Sequence, residues 1–143
     1  MHLLILNGPN LNLLGLREPD IYGKKSYDDL CEMIRAHAEK KGVTVECKQS
    51  NHEGVLVDWI QEARGKADGI VFNPAAYTHT SVALLDALKA IGIPCVEVHI
   101  SDVNEREPFR HISYVGLYAE HKVIGQGLQG YLAAMDYLIE KYK

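Results

Sequence analysis

An α/β fold with a parallel sheet is predicted by the order of apolar and amphipathic segments along the chain. Short apolar runs alternate with longer segments whose apolar residues recur at helical spacing, and polar residues stand where three of the runs end, at Asn7, Asn73 and His99. Strands joined through helices are connected by right-handed crossovers and lie parallel. Five such strands favour a doubly wound, flavodoxin-like sheet with the strand order 2-1-3-4-5.

The composition is that of one globular domain, which we expect to span residues 1–143. Apolar residues make up 47% of the chain and charged residues 24%, which is sufficient for a buried core. The formal net charge of −4 argues against nucleic-acid binding, and no apolar stretch approaches the ~20 residues that a membrane span needs. Three widely spaced cysteines, without a CxxC pair, and the absence of a basic leader are typical of reduced thiols in a cytoplasmic protein.

The first predicted strand, residues 2–7, leads into a long loop over residues 8–25 that is rich in Asn, Gly and Pro. Its length predicts an ordered, mobile lid over a binding site. A guanidinium beside a phenol favours the phenolate, so Arg17 and Tyr22 are candidates for a tyrosinate general base. The alternative is a surface ion pair of Arg17 with Glu18 and a simple turn at Tyr22.

A helix is predicted to begin after Ser26, because Asp29 follows at the spacing of a capping box. Gly42 fits the position just beyond its end. The apolar stripe of this helix consists of Leu30, Met33, Ile34, His37 and Ala38.

The rest of the chain continues the alternation. Strands are predicted at 43–48, 69–73, 93–99 and 121–124, and helices at 53–65 and 128–142. The helix after the third strand is predicted to be capped by Thr78 or Thr80 and to end at Ile91, before Gly92. Residues 100–118 are predicted to be irregular, with one short helical turn.

Polar side chains are predicted to meet at the carboxyl edge of the sheet, near the switch between strands 1 and 3, where doubly wound sheets bind ligands. The residues concerned are Asn10, Arg17, Tyr22, Asn73, His79, His99, Ser101 and Arg110.

Glu97 and His99 are two residues apart at the end of the fourth strand, so their side chains share a face. A carboxylate beside an imidazole fixes its tautomer and favours its protonated form, as a general acid requires. A purely structural hydrogen bond is the alternative, and the position at the carboxyl end of the strand favours catalysis.

The segment from Asn73 to Ser81 runs from a strand end to a helix N-terminus, whose free N–H groups suit an anionic or hydroxylated ligand. His79 and Asp86 are seven residues apart, so Asp86 lies two turns further along. We expect Asp86 to be either a surface charge or a residue that reaches the site of a neighbouring subunit.

Ser101 adds a hydroxyl directly after the candidate acid, and one of Arg106 and Arg110 is expected to bind a carboxylate or a hydroxyl. No HExxH or similar histidine spacing predicts a metal site. The loop after the first strand lacks the GxGxxG and GxxxxGK[ST] patterns. Asn7 and Asn73 stand where a phospho-receiver domain would have acidic residues.

The chain resembles type II 3-dehydroquinate dehydratases over residues 3–131. The resemblance is carried by Asn7-Gly-Pro-Asn-Leu-Asn, Arg17-Glu-Pro, Tyr22-Gly23, Gln49-Ser-Asn-His-Glu-Gly, Asn73-Pro-Ala-Ala-Tyr-Thr-His-Thr-Ser, Glu97-Val-His-Ile-Ser and Gly125-Gln-Gly-Leu-Gln-Gly-Tyr. It implies the dehydration of 3-dehydroquinate to 3-dehydroshikimate through an enolate, without a cofactor or a metal. The reaction belongs to the shikimate pathway of aromatic amino-acid biosynthesis and to quinate breakdown, and the sequence does not separate the two roles.

The same resemblance implies a role for each site residue. Tyr22 is the implied proton acceptor, and Arg17 supports its tyrosinate. Asn10 helps to hold the water that stabilises the enolate. His99, oriented by Glu97, is the implied proton donor to the leaving hydroxyl. The implied substrate-binding residues are Asn73, His79, Asp86, Ile100, Ser101 and Arg110.

The resemblance also implies a homododecamer built from trimers, in which Asp86 acts across a subunit boundary. The alternative to an enzyme is a binding module that recognises a polyhydroxylated acid through Asn73, His79 and Arg110. Turnover of 3-dehydroquinate separates these two hypotheses.

Overall fold

A five-stranded parallel sheet organises the protein in a computed structural model that describes residues 1–16 and 24–143. The strands are β1 (His2–Asn7), β2 (Thr44–Gln49), β3 (Gly69–Asn73), β4 (Cys95–His99) and β5 (His121–Ile124). Their order is β2-β1-β3-β4-β5, and each neighbouring pair is parallel. The predicted fold class and the strand order 2-1-3-4-5 are therefore confirmed.

Helices cover both faces of this sheet. They are α1 (Tyr27–Lys41), α2 (Glu53–Glu62), α3 (Val82–Ile91) and α4 (Gln129–Tyr142). Alternate side chains of β1 enter two separate cores: Leu3 and Ile5 pack with residues of α1 and α4, whereas Leu4 and Leu6 pack with residues of α2 and α3. A strand that is buried on both faces needs a continuous apolar run, and β1 has one.

The first helix has the predicted ends. The Ser26 hydroxyl accepts a hydrogen bond of 3.1 Å from the Asp29 amide, and the Asp29 carboxylate accepts one of 2.9 Å from the Ser26 amide. Gly42 follows the helix at φ 71°, a left-handed conformation that glycine adopts without steric strain. His37, in the predicted apolar stripe, instead hydrogen-bonds Asp136 of α4 across 2.7 Å.

The capping prediction for α3 was wrong. A 3₁₀ turn over Ala75–His79 follows β3, so the helix begins later and Ser81 is its N-cap, with its hydroxyl accepting from the Leu84 amide. Thr78 is buried and its hydroxyl points to Glu97, while Thr80 is exposed.

Other element limits shift by a few residues. The helix predicted over 53–65 ends at Glu62, and β4 begins at Cys95, after Pro94, which has no N–H to donate to the sheet. The predicted elements at 43–48 and 128–142 each begin one residue later, at Thr44 and Gln129. Residues 100–118 contain three 3₁₀ turns where one was predicted: Val103–Glu105, Pro108–Arg110 and Val115–Leu117.

The ends of β1 and β3 lie side by side, because Asn7 and Asn73 are partners in the strand register. The Gly8 amide donates to the Asn73 carbonyl at 2.8 Å. A Cβ atom at Gly8 would lie only 2.4 Å from the Pro74 carbonyl oxygen, so glycine is needed for this close approach. The two loops that leave the strands are thus fixed against each other at the carboxyl edge of the sheet.

Candidate active site

A cavity of about 150 Å³ lies at the carboxyl edge of the sheet, where the sequence predicted a site. Asn10 lines it from the loop after β1, and Asn73 and His79 line it from the end of β3 and the turn that follows. The fourth strand and the segment beyond it add His99, Ile100, Ser101 and Arg110. The fold therefore brings together most of the predicted site residues.

Glu97 and His99 make the predicted contact, in which His99 Nε2 lies 2.5 Å from Glu97 Oε2. Both side chains are almost fully buried, at 1% exposure for Glu97 and 7% for His99. A carboxylate can only accept, so Nε2 carries the shared proton and Nδ1 is the ring nitrogen left for a ligand in the cavity. Burial raises the pKa of Glu97, but the hydrogen bond and the charge of His99 lower it more, so the net pKa lies below 4.5.

Two hydroxyl groups that were not among the predicted site residues also bind this carboxylate. Thr78 Oγ1 donates to Glu97 Oε2 at 2.8 Å, and Ser113 Oγ donates to the same atom at 2.7 Å. A buried carboxylate requires several donors, and this requirement is the signal that could have prompted a search for nearby hydroxyls. It could not have selected Ser113, which lies in a segment without periodicity, and the sequence pattern assigned Thr78 to helix capping instead.

His79 is fixed as a hydrogen-bond acceptor toward the cavity. Its Nδ1 lies 2.7 Å from the Ile112 carbonyl, which can only accept, so the proton is on Nδ1 and Nε2 has a free lone pair. Burial lowers the pKa of His79 below 6.5, and the nearby His99 and Arg110 act in the same direction. A neutral imidazole with a free Nε2 suits a ligand hydroxyl.

Asn73 is held by a buried chain of side chains. Its Nδ2 donates to the Tyr131 hydroxyl at 2.8 Å, and that hydroxyl donates to Asn7 Oδ1 at 2.7 Å. Its Oδ1 accepts from the Ala75 amide at 3.0 Å, where Ala75 has φ 52°. Asn73 therefore fixes the turn after β3 and keeps one N–H of its amide for a ligand.

Asn10 lies at the start of the loop after β1 with φ 70°, a left-handed conformation that asparagine tolerates better than most residues. The backbone N–H of Asn10 donates to Asn51 Oδ1 at 3.0 Å. The side chain of Gln49 donates to the Gly8 carbonyl at 3.1 Å, and the Tyr77 hydroxyl donates to the Asn51 carbonyl at 2.7 Å. The segment after β2 thus supports the loop that presents Asn10.

The segment after β4 brings two guanidinium groups to the cavity, from Arg106 and Arg110. Arg110 Nε donates to Glu107 Oε2 at 2.6 Å, and the Arg110 guanidinium lies 5.1 Å from the centre of the Phe109 ring. These contacts orient Arg110, whose other N–H groups make no hydrogen bond within residues 1–16 and 24–143 and can bind a ligand.

One predicted site residue is not brought into the cavity: Asp86 is exposed on α3 and does not line it. Arg17 and Tyr22 lie outside the described residues.

The described part of the chain shows neither a metal-binding group nor a membrane span. Across residues 1–16 and 24–143, no three His, Cys, Asp or Glu side chains are grouped as metal ligands. Over the same ranges, the helices are too short or too polar to cross a bilayer.

Comparisons with known proteins agree on one family. The family model described as "Dehydroquinase class II" matches residues 1–139. A catabolic 3-dehydroquinase of Aspergillus clavatus is 53% identical over 141 residues, which cover 99% of this chain and 94% of that protein. The 3-dehydroquinate dehydratase 2 of Pseudomonas aeruginosa is 51% identical over 140 residues, with 98% and 95% covered.

A solved structure has the same fold over nearly the whole chain. The type II dehydroquinase from Butyrivibrio crossotus superposes with a TM-score of 0.95 and 53% identity, and the match covers 96% of this chain and 97% of that one. The resemblance seen in the sequence is thereby confirmed. The chain belongs to the class II dehydroquinase family.

Proposed function

We propose that this protein is a carbon–oxygen lyase that converts 3-dehydroquinate to 3-dehydroshikimate and water. The observation that carries the proposal is the buried Glu97–His99 pair, whose free ring nitrogen belongs to a cavity lined by His79 and Arg110. An elimination of water needs an acid at the leaving hydroxyl, and this pair has the geometry of one. The names of the relatives from Pseudomonas aeruginosa and Aspergillus clavatus support the same chemistry.

The proposed reaction has two stages. A tyrosinate at Tyr22, supported by Arg17, removes the proton next to the ketone, and the electron pair of the C–H bond forms an enolate. Asn10 helps to hold the water that stabilises the enolate oxygen. The enolate then collapses to the conjugated enone, the C–O bond breaks, and His99 donates its proton so that the hydroxyl leaves as water.

The cavity offers matching partners for a hydroxylated carboxylic acid. His79 Nε2 accepts from one hydroxyl, and the Arg110 guanidinium donates to oxygen atoms. The remaining amide N–H of Asn73 and the Ile100–Ser101 segment at the end of β4 are available to a carboxylate. These groups fix the substrate between the base and the acid.

The test is an ultraviolet assay with purified protein and 3-dehydroquinate, because the product is a conjugated enone and the substrate is not. We expect the wild type to form product and His99→Gln to lose at least about 10²-fold in kcat, as is usual when a general acid is removed. His52→Gln is a matched control, because His52 is exposed at the start of α2 and outside the cavity. A wild type that binds quinate without turnover would reject the lyase and support a binding module.

A homododecamer built from trimers belongs to the same proposal. Asp86 is exposed on α3, outside the cavity of its own chain, and Val82 and Ile112 expose 49% and 57% of their surface. An interface over this region would bring Asp86 to a neighbouring site. Native mass spectrometry tests this assembly, with the mass of twelve chains expected, and a monomer with full activity would reject it.

We also propose a cytoplasmic location and a role in the shikimate pathway of aromatic amino-acid biosynthesis. Three free cysteines support a reducing compartment. Deletion of the protein in its own host tests the biosynthetic role. Loss of growth without added aromatic amino acids is expected, whereas loss of growth on quinate alone would assign the protein to catabolism.

A further inference from the structure

The hydroxyls of Thr78 and Ser113 meet on the carboxylate that orients the candidate acid. We propose that Thr78 and Ser113 are positioning residues for the acid step, which hold Glu97 as a carboxylate so that the transferable proton stays on His99. This inference rests on the proposed function, because it assigns a task within the same site. It concerns residues that touch Glu97 and not the cavity.

Three donors converge on one oxygen atom. Glu97 Oε2 lies 2.5 Å from His99 Nε2, 2.7 Å from Ser113 Oγ and 2.8 Å from Thr78 Oγ1. Thr78 Oγ1 and Ser113 Oγ are themselves 2.6 Å apart. The three oxygen atoms therefore form a triangle, and the imidazole approaches the corner that belongs to the carboxylate.

The direction of the hydroxyl protons follows from counting donors. The Gly116 amide donates to Ser113 Oγ at 2.9 Å and occupies one of its lone pairs. Ser113 then has one proton to donate, and Glu97 Oε2 is the charged acceptor within reach. Thr78 donates either to the same carboxylate oxygen or to Ser113, so the hydroxyl pair donates to the carboxylate at least once in each arrangement.

A proton on Glu97 would disrupt this arrangement. At Oε2 it would displace a donor that is already in place. At Oε1 it would lack an acceptor, because this buried atom has no hydrogen-bond partner within the described ranges. The proton is therefore more stable on the imidazole than on the carboxylate, which is the state that a general acid needs.

The two segments that carry the hydroxyls are held together by backbone contacts. The Tyr114 amide donates to the Thr78 carbonyl at 2.8 Å, and His79 Nδ1 donates to the Ile112 carbonyl at 2.7 Å. Displacement of one segment would therefore move both hydroxyls. The pair is a built part of the site rather than a chance contact of two surface side chains.

Several other charged or titratable groups face Glu97. Within β4 they are His99 and Cys95, and the turn after β3 contributes His79. From β5, Lys122 is the register partner of Glu97, and its side chain lies beside Gly116. Among the described residues, Glu97 accepts hydrogen bonds only from His99, Thr78 and Ser113. Cys95, His79 and Lys122 therefore do not take over the hydrogen bonds of the two hydroxyls.

The test compares the pH dependence of kcat/KM for the wild type, Thr78→Val and Ser113→Ala. Removal of a donor makes the carboxylate more basic, and a more basic carboxylate also holds the protonated imidazole more firmly. The apparent pKa values that the Glu97–His99 pair gives to the profile of kcat/KM against pH should therefore rise, by about one unit for each lost hydroxyl. A lower kcat/KM with unchanged apparent pKa values would overturn the inference.

Two control variants separate this role from a general structural one. Thr78→Ser keeps the hydroxyl and should restore the wild-type profile. Thr80→Val makes the same chemical change at an exposed neighbour that does not contact Glu97, and it should leave the profile unchanged. If Thr78→Val does not fold, Ser113→Ala decides the question, because Ser113 is only half-buried.

A second measurement does not depend on turnover. Carbon-13 nuclear magnetic resonance of labelled histidine gives the titration midpoint of the Glu97–His99 pair, with His99→Gln used for assignment. The midpoint should move to higher pH in Thr78→Val and stay in place in Thr80→Val. If the wild type does not convert 3-dehydroquinate, the proposed function fails, while this midpoint still tests the hydroxyl pair.

Discussion

A single hydroxyl at the centre of the fold links the two strand ends that define the cavity. Tyr131 is fully buried on α4, accepts from Asn73 at the end of β3 and donates to Asn7 at the end of β1. Burial raises the pKa of Tyr131 above its ordinary value, so the group is a neutral phenol. A neutral phenol can accept one hydrogen bond and donate another, as both neighbours require.

Tyr131→Phe should weaken both stability and substrate binding. The substitution leaves the buried Asn73 Nδ2 and Asn7 Oδ1 atoms without this hydrogen-bond partner, which should lower the free energy of unfolding by about 1–3 kcal/mol. A loosened Asn73 should also raise KM more than it lowers kcat. Urea unfolding and steady-state kinetics measure the two effects.

Tyr118→Phe is the matched control for this change. Its hydroxyl donates to the Ile93 carbonyl at 2.7 Å and lies outside the cavity. This variant should lose stability with no change in KM. A Tyr131→Phe enzyme with the wild-type KM would show that Tyr131 does not position Asn73.

At the scale of elements, sequence pattern predicted the interiors better than the ends. The interiors of β1 and α1 were predicted because their buried positions are apolar, and the spacing of apolar residues is visible in the sequence. The start of α3 depends on the turn Ala75–His79, where Ala75 has φ 52° and Thr78 hydrogen-bonds a carboxylate on another strand. Such a turn is set by tertiary contacts, and local propensity could not reveal it.

Gly8→Ala tests the close approach between the loops after β1 and β3. The new methyl group would meet the Pro74 carbonyl oxygen at 2.4 Å, so one loop must shift. We expect a loss of stability of about 1–3 kcal/mol, as for other overpacked sites, and a higher KM because Asn10 and Asn73 would separate. Thermal unfolding and steady-state kinetics provide the measurements.

Gly54→Ala is the control for that substitution. A Cβ atom at Gly54, within α2, meets no described atom within 4 Å apart from its chain neighbours and the backbone of its own helix. Alanine favours a helix over glycine by up to about 1 kcal/mol, so this variant should be slightly more stable and fully active. Equal effects of the two substitutions would mean that the contact with Pro74 does not matter.

At the scale of the whole molecule, the fold and the place of the site followed from the order of elements, because parallel strands put their carboxyl ends at one edge. The pairing of Glu97 with His99 followed from their spacing on one strand. Ser113 and Tyr131 could not be predicted, since they reach the site from distant segments through contacts that have no local pattern.

The titration of buried groups predicts how the stability of the whole molecule depends on pH. His79 has a pKa below its ordinary 6.5 because of burial, and the Glu97 pKa lies below 4.5 although burial opposes the shift. As pH falls through each ordinary value, the unfolded chain takes up a proton before the folded protein does, so stability is lost. Burial raises the pKa of the Cys95 thiol above 9.0, so the unfolded chain releases its proton first as pH rises, and stability is lost again.

The free energy of unfolding should therefore be highest between pH 6.5 and 9.0 and should fall on both sides. Urea unfolding from about pH 5 to about pH 10, at one protein concentration, measures this dependence. Cys95→Ala removes the buried thiol, so its loss of stability above pH 9.0 should be shallower than that of the wild type, even though the smaller side chain lowers stability at neutral pH. An alkaline slope that is identical in the two proteins would mean that Cys95 does not titrate in the unfolding reaction and that other groups cause the decline.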